Sequence, residues 1–307
     1  MNDAVLVTGS RGFCGRHLVA LLRGRGLRVL GFDLSPSEHP DDRAGDLCDP
    51  VGLGDVLRDA GVRRVFHLAG GVGEPRDAAG RQRLVRANIL ATMGLLEALS
   101  AVPAPPRTLV AGSASVYGIP VASDGVVRES DPVAPVLFYG MTKAAQEDVF
   151  RLWARWGRVQ PIFARSFNLT GPGEGTGSLP GAIARQLAAG ADPILVGNLA
   201  PVRDFLDVRD AVAAYDLLSQ RGEPGAAYNV ASGRGESVRD HVARLVVAAG
   251  GSSRVVVDPD RVKAVDVAEV VADVSRLRAL GWVPGFAPER TARDLLAAVR
   301  GGEGPWI

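Results

Sequence analysis

The stretch Val5-Leu6-Val7-Thr8-Gly9-Ser10-Arg11-Gly12-Phe13-Cys14-Gly15-Arg16-His17-Leu18 constrains this chain more than any other. A short apolar run meets glycines at positions 9, 12 and 15, and an apolar segment follows over 18–22. The pattern predicts strand, tight turn, helix. Glycine lets the backbone turn sharply and lets a ligand come close. The start of a helix leaves N–H groups unpaired around one point, and an anion suits that point. A pyrophosphate is the expected guest, with Gly9, Arg11, Gly12, Phe13 and Gly15 around it. The glycine spacing differs from the G-x-G-x-x-G dinucleotide fingerprint. By itself the turn therefore admits either a nucleotide site or an ordinary glycine-rich connection.

The next segments narrow the choice. Arg28-Val29-Leu30-Gly31-Phe32-Asp33 reads as a second strand ending in an acid, at the distance a βαβ unit requires. Asp33 can accept hydrogen bonds from ribose hydroxyls and repels a 2′-phosphate. Residues 35–42 add acids and no arginine or lysine, which favours NAD over NADP. Asp46 and Leu47 fall where the chain returns across an adenine. Arg64-Val65-Phe66-His67-Leu68-Ala69-Gly70-Gly71 is a buried strand running into small residues, so Leu68, Ala69 and Gly70 let a cofactor approach the backbone. A helix is expected over 84–99, and Asn88 is its one polar residue assigned to the cofactor side.

A strand over 107–112 delivers Ser113 at its C-terminal end, where open parallel sheets place active sites. Helix-forming sequence follows Gly140, and Tyr139 and Lys143 lie four apart, on one helix face. A free tyrosine hydroxyl, with a pKa near ~10, is too weak a base at neutral pH. A nearby ammonium lowers that value. With a serine hydroxyl on the same substrate oxygen, the pair can move a proton while hydride moves to or from nicotinamide.

Composition sets outer limits. The chain has 307 residues, enough for one large or two unequal domains. A formal net charge of +1 gives no bulk attraction to nucleic acid or anionic lipid. No long uncharged apolar run and no leader pattern are visible, so no membrane association and a cytoplasmic location are expected. Cys14 and Cys48 make no disulfide framework, and Cys14 reads as a small apolar packer. His17, His39, His67 and His241 lack ligand spacing; His67 reads as a satisfied core residue, and no metal site is expected.

Together, Thr8-Gly9 with Gly12 and Gly15, Asp33, Asp46-Leu47, His67-Leu68-Ala69, Asn88, Ser113-Ala114-Ser115-Val116-Tyr117-Gly118 and Tyr139-x-x-x-Lys143 resemble the extended short-chain dehydrogenase/reductase family. Within it they resemble the NAD-dependent epimerase/dehydratase branch. The family has the glycine spacing seen here. The resemblance implies an α/β fold, a doubly wound parallel (Rossmann) sheet with a smaller C-terminal α/β substrate domain. It implies residues 1–167 for NAD and 168–307 for a nucleotide sugar, with 204–219 and 228–231 returning to the first domain. It implies Ser113, Tyr139 and Lys143 as the catalytic trio, with Tyr139 and Lys143 also touching the cofactor. Ser113, Ser115, Asn168, Arg203 and Lys263 are implied for the substrate. Arg203 is a fork suited to a diphosphate, or else a structural salt bridge. Asp207 and Asp210 are expected to hold the helix start that follows them. Where the family has arginine then proline, this chain has Lys263-Ala264, keeping the charge and losing the bidentate fork. A homodimer through helices near 84–99 and 144–156 is implied as well.

The reaction is narrowed by an absence of acid. Dehydratases and decarboxylases of this branch carry an acidic residue beside the catalytic serine or threonine; here Ala114, Ser115 and Val116 stand there. Two reactions remain. One is reduction of an NDP-4-keto-6-deoxyhexose at C4, with Tyr139 as proton donor, as in GDP-4-keto-6-deoxy-D-mannose reductases and related 4-ketoreductases. The other is NAD-dependent 4-epimerisation. A non-catalytic dinucleotide-binding protein is a third reading, against which the retained trio counts.

Overall fold

The computed structural model describes residues 4–119, 125–262 and 267–301. Its first half supplies strands β1 (Val5–Thr8), β2 (Val29–Asp33), β3 (Arg43–Ala44), β4 (Arg64–His67), β5 (Arg107–Ser113), β6 (Val126–Val127) and β7 (Gln160–Ser166). The second half supplies β8 (Asn168–Thr170), β9 (Ile194–Val196), β10 (Val202–Asp207), β11 (Ala227–Val230), β12 (Gly235–Ser237), β13 (Val255–Val257) and β14 (Glu269–Ala272).

Seven strands form one parallel sheet in the order β11-β7-β5-β4-β1-β2-β3. The order reverses between β1 and β4, and such a reversal opens a crevice at the C-terminal strand ends. The strands read as near-continuous apolar runs because both faces of the sheet are covered. Side chains alternate along a strand. Val5 and Val7 therefore join a core with Leu18 and Leu22 of the helix Phe13–Gly24 and with Ala211, Tyr215 and Leu218 of the helix Val208–Arg221. Leu6 points the other way, into a core with Leu95 and Leu96 of the helix Ala91–Leu99 and with Phe150 and Trp153 of the helix Phe138–Arg155.

The C-terminal half builds a smaller layer. β10 is its spine: Val202–Asp204 pairs with β12, Val202 and Arg203 also with β14, and Phe205–Asp207 with β8. Ile183, Leu187, Val242, Leu245 and Leu295 form a separate core beneath it. The second half also serves the large sheet, because β11 is its edge strand and the helix Val208–Arg221 packs on its face. The helix expected over 84–99 is interrupted: Ala78–Val85 is α-helical, Arg86–Leu90 is a π-turn, and Ala91–Leu99 resumes the α-helix. Among the described residues no helix is long and apolar enough to cross a membrane.

Candidate active site

The glycine turn lies at the mouth of the crevice. Gly9 has φ +67, and a Cβ there would stand 2.7 Å from the Ala69 nitrogen. A Cβ on Gly15 would strike the Gly9 carbonyl, so the helix Phe13–Gly24 can start this close to β1 only with glycine. These contacts leave a cavity of about 630 Å³ lined by Gly9, Arg11, Asp33, Asp46, Leu47 and Ala69, among others. Leu68, Gly70 and Gly12 also line it; Phe13 does not, and instead sets its ring edge-on to His17 at 6.0 Å. A dinucleotide fits these walls in chemistry: bare backbone at the glycines, an acid at the end of β2, small residues after β4.

The Asp33 carboxylate is already braced. Its Oδ2 accepts from Arg11 N at 3.0 Å and its Oδ1 from Ser35 N at 3.1 Å. Asp46 is held likewise, accepting from Cys48 N at 2.8 Å and pairing with Arg86 at 2.7 Å. Asn88 is fully buried, and its side chain is spent on the protein. Its Oδ1 accepts from Gly71 N at 2.8 Å; its Nδ2 donates to Gly71 O at 3.2 Å and to Thr142 Oγ1 at 2.9 Å. It therefore shapes the Gly70–Gly71 turn rather than presenting a free amide. His67 is a satisfied core residue, bonded to Thr8 Oγ1 at 2.8 Å and Thr92 Oγ1 at 3.0 Å. Burial drives its pKa down to about 3, so it stays neutral. Cys14 packs against the core, and burial pushes its thiol up to about 12.

β5 ends on Ser113, which is buried and whose Oγ accepts from Ser115 N at 3.2 Å. The helix Phe138–Arg155 presses on this strand end through Gly140, where a Cβ would strike the Ser115 carbonyl. Tyr139 thereby comes beside Ser113. Burial raises the Tyr139 pKa, and the neighbouring Ser113 hydroxyl offsets the rise only in part. One turn on, Lys143 is buried and its Nζ donates to Gln146 Oε1 at 2.5 Å. Burial lowers the ammonium to about 8, against the pull of Glu147. The expectation that Lys143 depresses the tyrosine is not met here. Loss of solvent dominates the phenol, and Lys143 points instead toward Gly70, where a Cβ would lie 3.9 Å from its Nζ.

A second cavity, of about 540 Å³, opens in the C-terminal layer and is lined by Asn168, Glu174, Gly197, Arg203, Phe205 and Arg261, among others. Asn168 Nδ2 donates to Asp204 O at 3.0 Å, fixing β8 to β10. Asp204, fully buried, accepts from Ser232 N, Gly233 N and Ala272 N, so this wall is tied at one residue. Asp207 caps the helix start as expected, whereas Asp210, in the first turn of that helix, instead ties down the loop at residues 285 and 286. Asp207 accepts from Arg209 N at 2.8 Å, and Asp210 accepts from Gly285 N and Phe286 N. Lys263 lies outside the described residues. Arg261 supplies a guanidinium to the same cavity, paired with Asp258 at 3.1 Å.

Two carboxylates were not singled out from sequence. Glu74, on the loop after β4, accepts from Phe138 N at 3.1 Å and Tyr139 N at 3.2 Å, capping the helix that carries Tyr139 and Lys143. Glu174 closes the turn after β8, its Oε2 accepting from Thr170 Oγ1 at 2.7 Å. Glu174 follows directly on the Gly171-Pro172-Gly173 turn, and that turn was the available signal; Glu74 had none.

Comparison with known proteins agrees with this geometry. Residues 5–231 match the model of the "NAD dependent epimerase/dehydratase family". The chain is 31% identical to the GDP-6-deoxy-D-mannose reductase of Pseudomonas aeruginosa, over 97% of each chain. It is 32% identical to the dTDP-6-deoxy-L-talose 4-dehydrogenase (NAD(P)(+)) of Kitasatospora kifunensis, over 96% of this chain and 95% of that one. The solved structure of RMD from P. aeruginosa complexed with NADPH superposes with a TM-score of 0.84 at 31% identity, covering 97% of this chain and 99% of that one. The chain thus belongs to the NAD-dependent epimerase/dehydratase family, a branch of the extended short-chain dehydrogenase/reductases, and is an NAD(P)-dependent enzyme.

Proposed function

We propose that the protein reduces an NDP-4-keto-6-deoxyhexose at C4. The observation that carries this reading is the approach of Tyr139 to Ser113 at the end of β5, which sets a half-buried phenol, held above its ordinary value by loss of solvent, beside that hydroxyl. Such a group holds its proton at neutral pH and suits donation to a new alkoxide, which is what ketone reduction requires. Bound NAD(P)H supplies the hydride. Ser113 hydrogen-bonds the carbonyl oxygen and orients it for Tyr139. Lys143, charged below about pH 8, offers donors to the cofactor ribose near Gly70. Asp33 holds the adenosine ribose, and the cavity with Asn168, Arg203 and Arg261 takes the nucleoside diphosphate. Ser115 is assigned to the sugar and Lys263, from its place in the sequence, to the nucleotide. Two relatives named for deoxyhexose reduction or its reverse support the substrate class. The absence of an acid at 114–116 counts against dehydration.

Epimerisation at C4 is the second reading, favoured by Asp33, whose charge suits NAD better than NADP. We also propose the division at residues 167 and 168 between cofactor and sugar-nucleotide halves. A homodimer is proposed on the exposed Leu90, Met93, Met141, Leu152 and Trp156, which stand on the π-turn Arg86–Leu90 and the helices Ala91–Leu99 and Phe138–Arg155 or at their ends. The test is turnover. With a 4-keto-6-deoxy sugar nucleotide, nicotinamide absorbance should fall by one reduced cofactor per sugar. A flat trace with exchange of 4-epimers would decide for the epimerase.

A further inference from the structure

The turn Gly171-Pro172-Gly173-Glu174 sits between the cofactor helix and the second cavity. From the helix Phe13–Gly24, His17 Nε2 lies 2.9 Å from Pro172 O, and Arg16 donates to Gly173 O at 3.4 Å. From the helix Leu179–Ala188, Arg185 donates to Glu174 O at 3.3 Å. The Glu174 side chain closes the turn from inside. Its Oε2 accepts from Thr170 Oγ1 at 2.7 Å and from Gly171 N at 3.2 Å. The residue is 3% exposed, and its other oxygen, Oε1, is buried with no hydrogen-bond partner.

An unpaired buried oxygen is costly, and far more so when it carries charge. The groups packed around Glu174 relieve it only in part. Cys14 is a neutral thiol, itself raised in part by Glu174. Arg16, His17 and Arg185 reach the turn at backbone carbonyls. Ser178 and Thr170 contribute hydroxyls. Asp207, near Gly171, is committed to Arg209 and Thr291. Burial therefore lifts the Glu174 carboxyl to about 7, despite the hydrogen bonds that favour its charged form.

We propose that Glu174 is a positioning residue of the sugar-nucleotide site that works in its neutral form. Uncharged, it keeps the 171–174 turn packed between the cofactor helix and the cavity that also holds Asn168 and Arg203. Ionised, the carboxylate leaves its dry position and loosens that wall. The inference rests on reading this cavity as the nucleotide-sugar site.

Glu174→Gln separates charge from shape, because the amide oxygen can still accept from Thr170 and Gly171 and the side chain cannot ionise. The probes are GDP-mannose, UDP-glucose and dTDP-glucose, whose diphosphates do not titrate in the range used. Binding is measured by calorimetry at about pH 5.5 and about pH 8.5, on either side of the carboxyl midpoint. For the probe that binds, wild-type affinity should fall several-fold at the higher pH. The variant should bind at both pH values as the wild type does at the lower one. Thermal melts give a second readout. A raised folded-state pKa means native stability declines as pH rises from the ordinary 4.5 through about 7, and the variant should lose that decline. A wild-type profile flat in both measurements, or a variant that keeps the wild-type pH dependence, overturns the proposal. Failure of every probe to bind at either pH contradicts the reading of the cavity instead, while the melts still judge Glu174.

Discussion

Burial raises the Tyr139 phenol and lowers the Lys143 ammonium, and both shifts bear on the proposed reduction. The phenol keeps its proton to give away. The ammonium keeps its charge only on the acid side of about pH 8. Tyr139→Phe should therefore lower kcat by about a hundredfold or more, the usual size of a lost general acid. Its affinity for NADH or NADPH, measured by fluorescence titration, should stay within a few-fold of wild type. In the wild type, kcat for reduction should decline as pH rises past about 8, where Lys143 loses its proton. A kcat profile flat through that range would detach Lys143 from turnover. The chemistry of the trio was legible in the sequence, because helical spacing puts Tyr139 and Lys143 on one face. Their electrostatics were not, because burial is a property of the packed molecule. Asn88 shows the same limit: its position was visible, but its bonds run to residues 17 and 54 places away.

The helix Phe138–Arg155 is held at two points by acids of different worth. At its N-terminus Leu137 offers no side-chain cap, and Glu74 reaches across 64 residues to the first two N–H groups. Further along, Glu147 is fully buried and binds Arg165 with both oxygens, at 2.9 and 2.8 Å, and Arg151 at 2.7 Å. Losing a cap typically costs about 1 kcal/mol. Removing one partner of a buried pair costs about 3–5 kcal/mol, because the other charge is left unpaired. Urea melts should accordingly rank Glu147→Ala as much more destabilised than Glu74→Ala. Glu74→Ala should lower kcat more than it lowers stability would suggest, because the turn it releases carries Tyr139. Equal losses in the two variants would remove the distinction. The helix itself was readable from the helix-forming residues that follow Gly140. Glu74 was not, since a cap supplied from a distant loop leaves no local pattern.

At the scale of the whole molecule, individual strands of the large sheet were legible as apolar runs and the glycine turn marked its crevice, but the doubly wound parallel arrangement came from the family resemblance and the strand order from the packed structure. The smaller layer was harder to read. β10 divides its pairing between β12 and β14 at one end and β8 at the other, and short strands of this kind carry little period of their own. The path of the second half back onto the large sheet came from the family resemblance, not from periodicity. The exposed apolar side chains on the helices 91–99 and 138–155 belong to this scale too. Met93→Glu with Leu152→Glu should leave a monomer by light scattering where the wild type is a dimer. A monomeric wild type would remove the proposed interface.

In the proposed reaction, hydride passes from a reduced nicotinamide to C4 of a keto sugar while Tyr139 supplies the proton. Deuterium at the transferable position of NADH or NADPH follows that hydride directly. One deuterium is expected at C4 of the 6-deoxyhexose product for each cofactor oxidised, and none of this with Tyr139→Phe beyond a small residual rate. Interconversion of 4-epimers with no deuterium incorporated and no net cofactor consumed would contradict it.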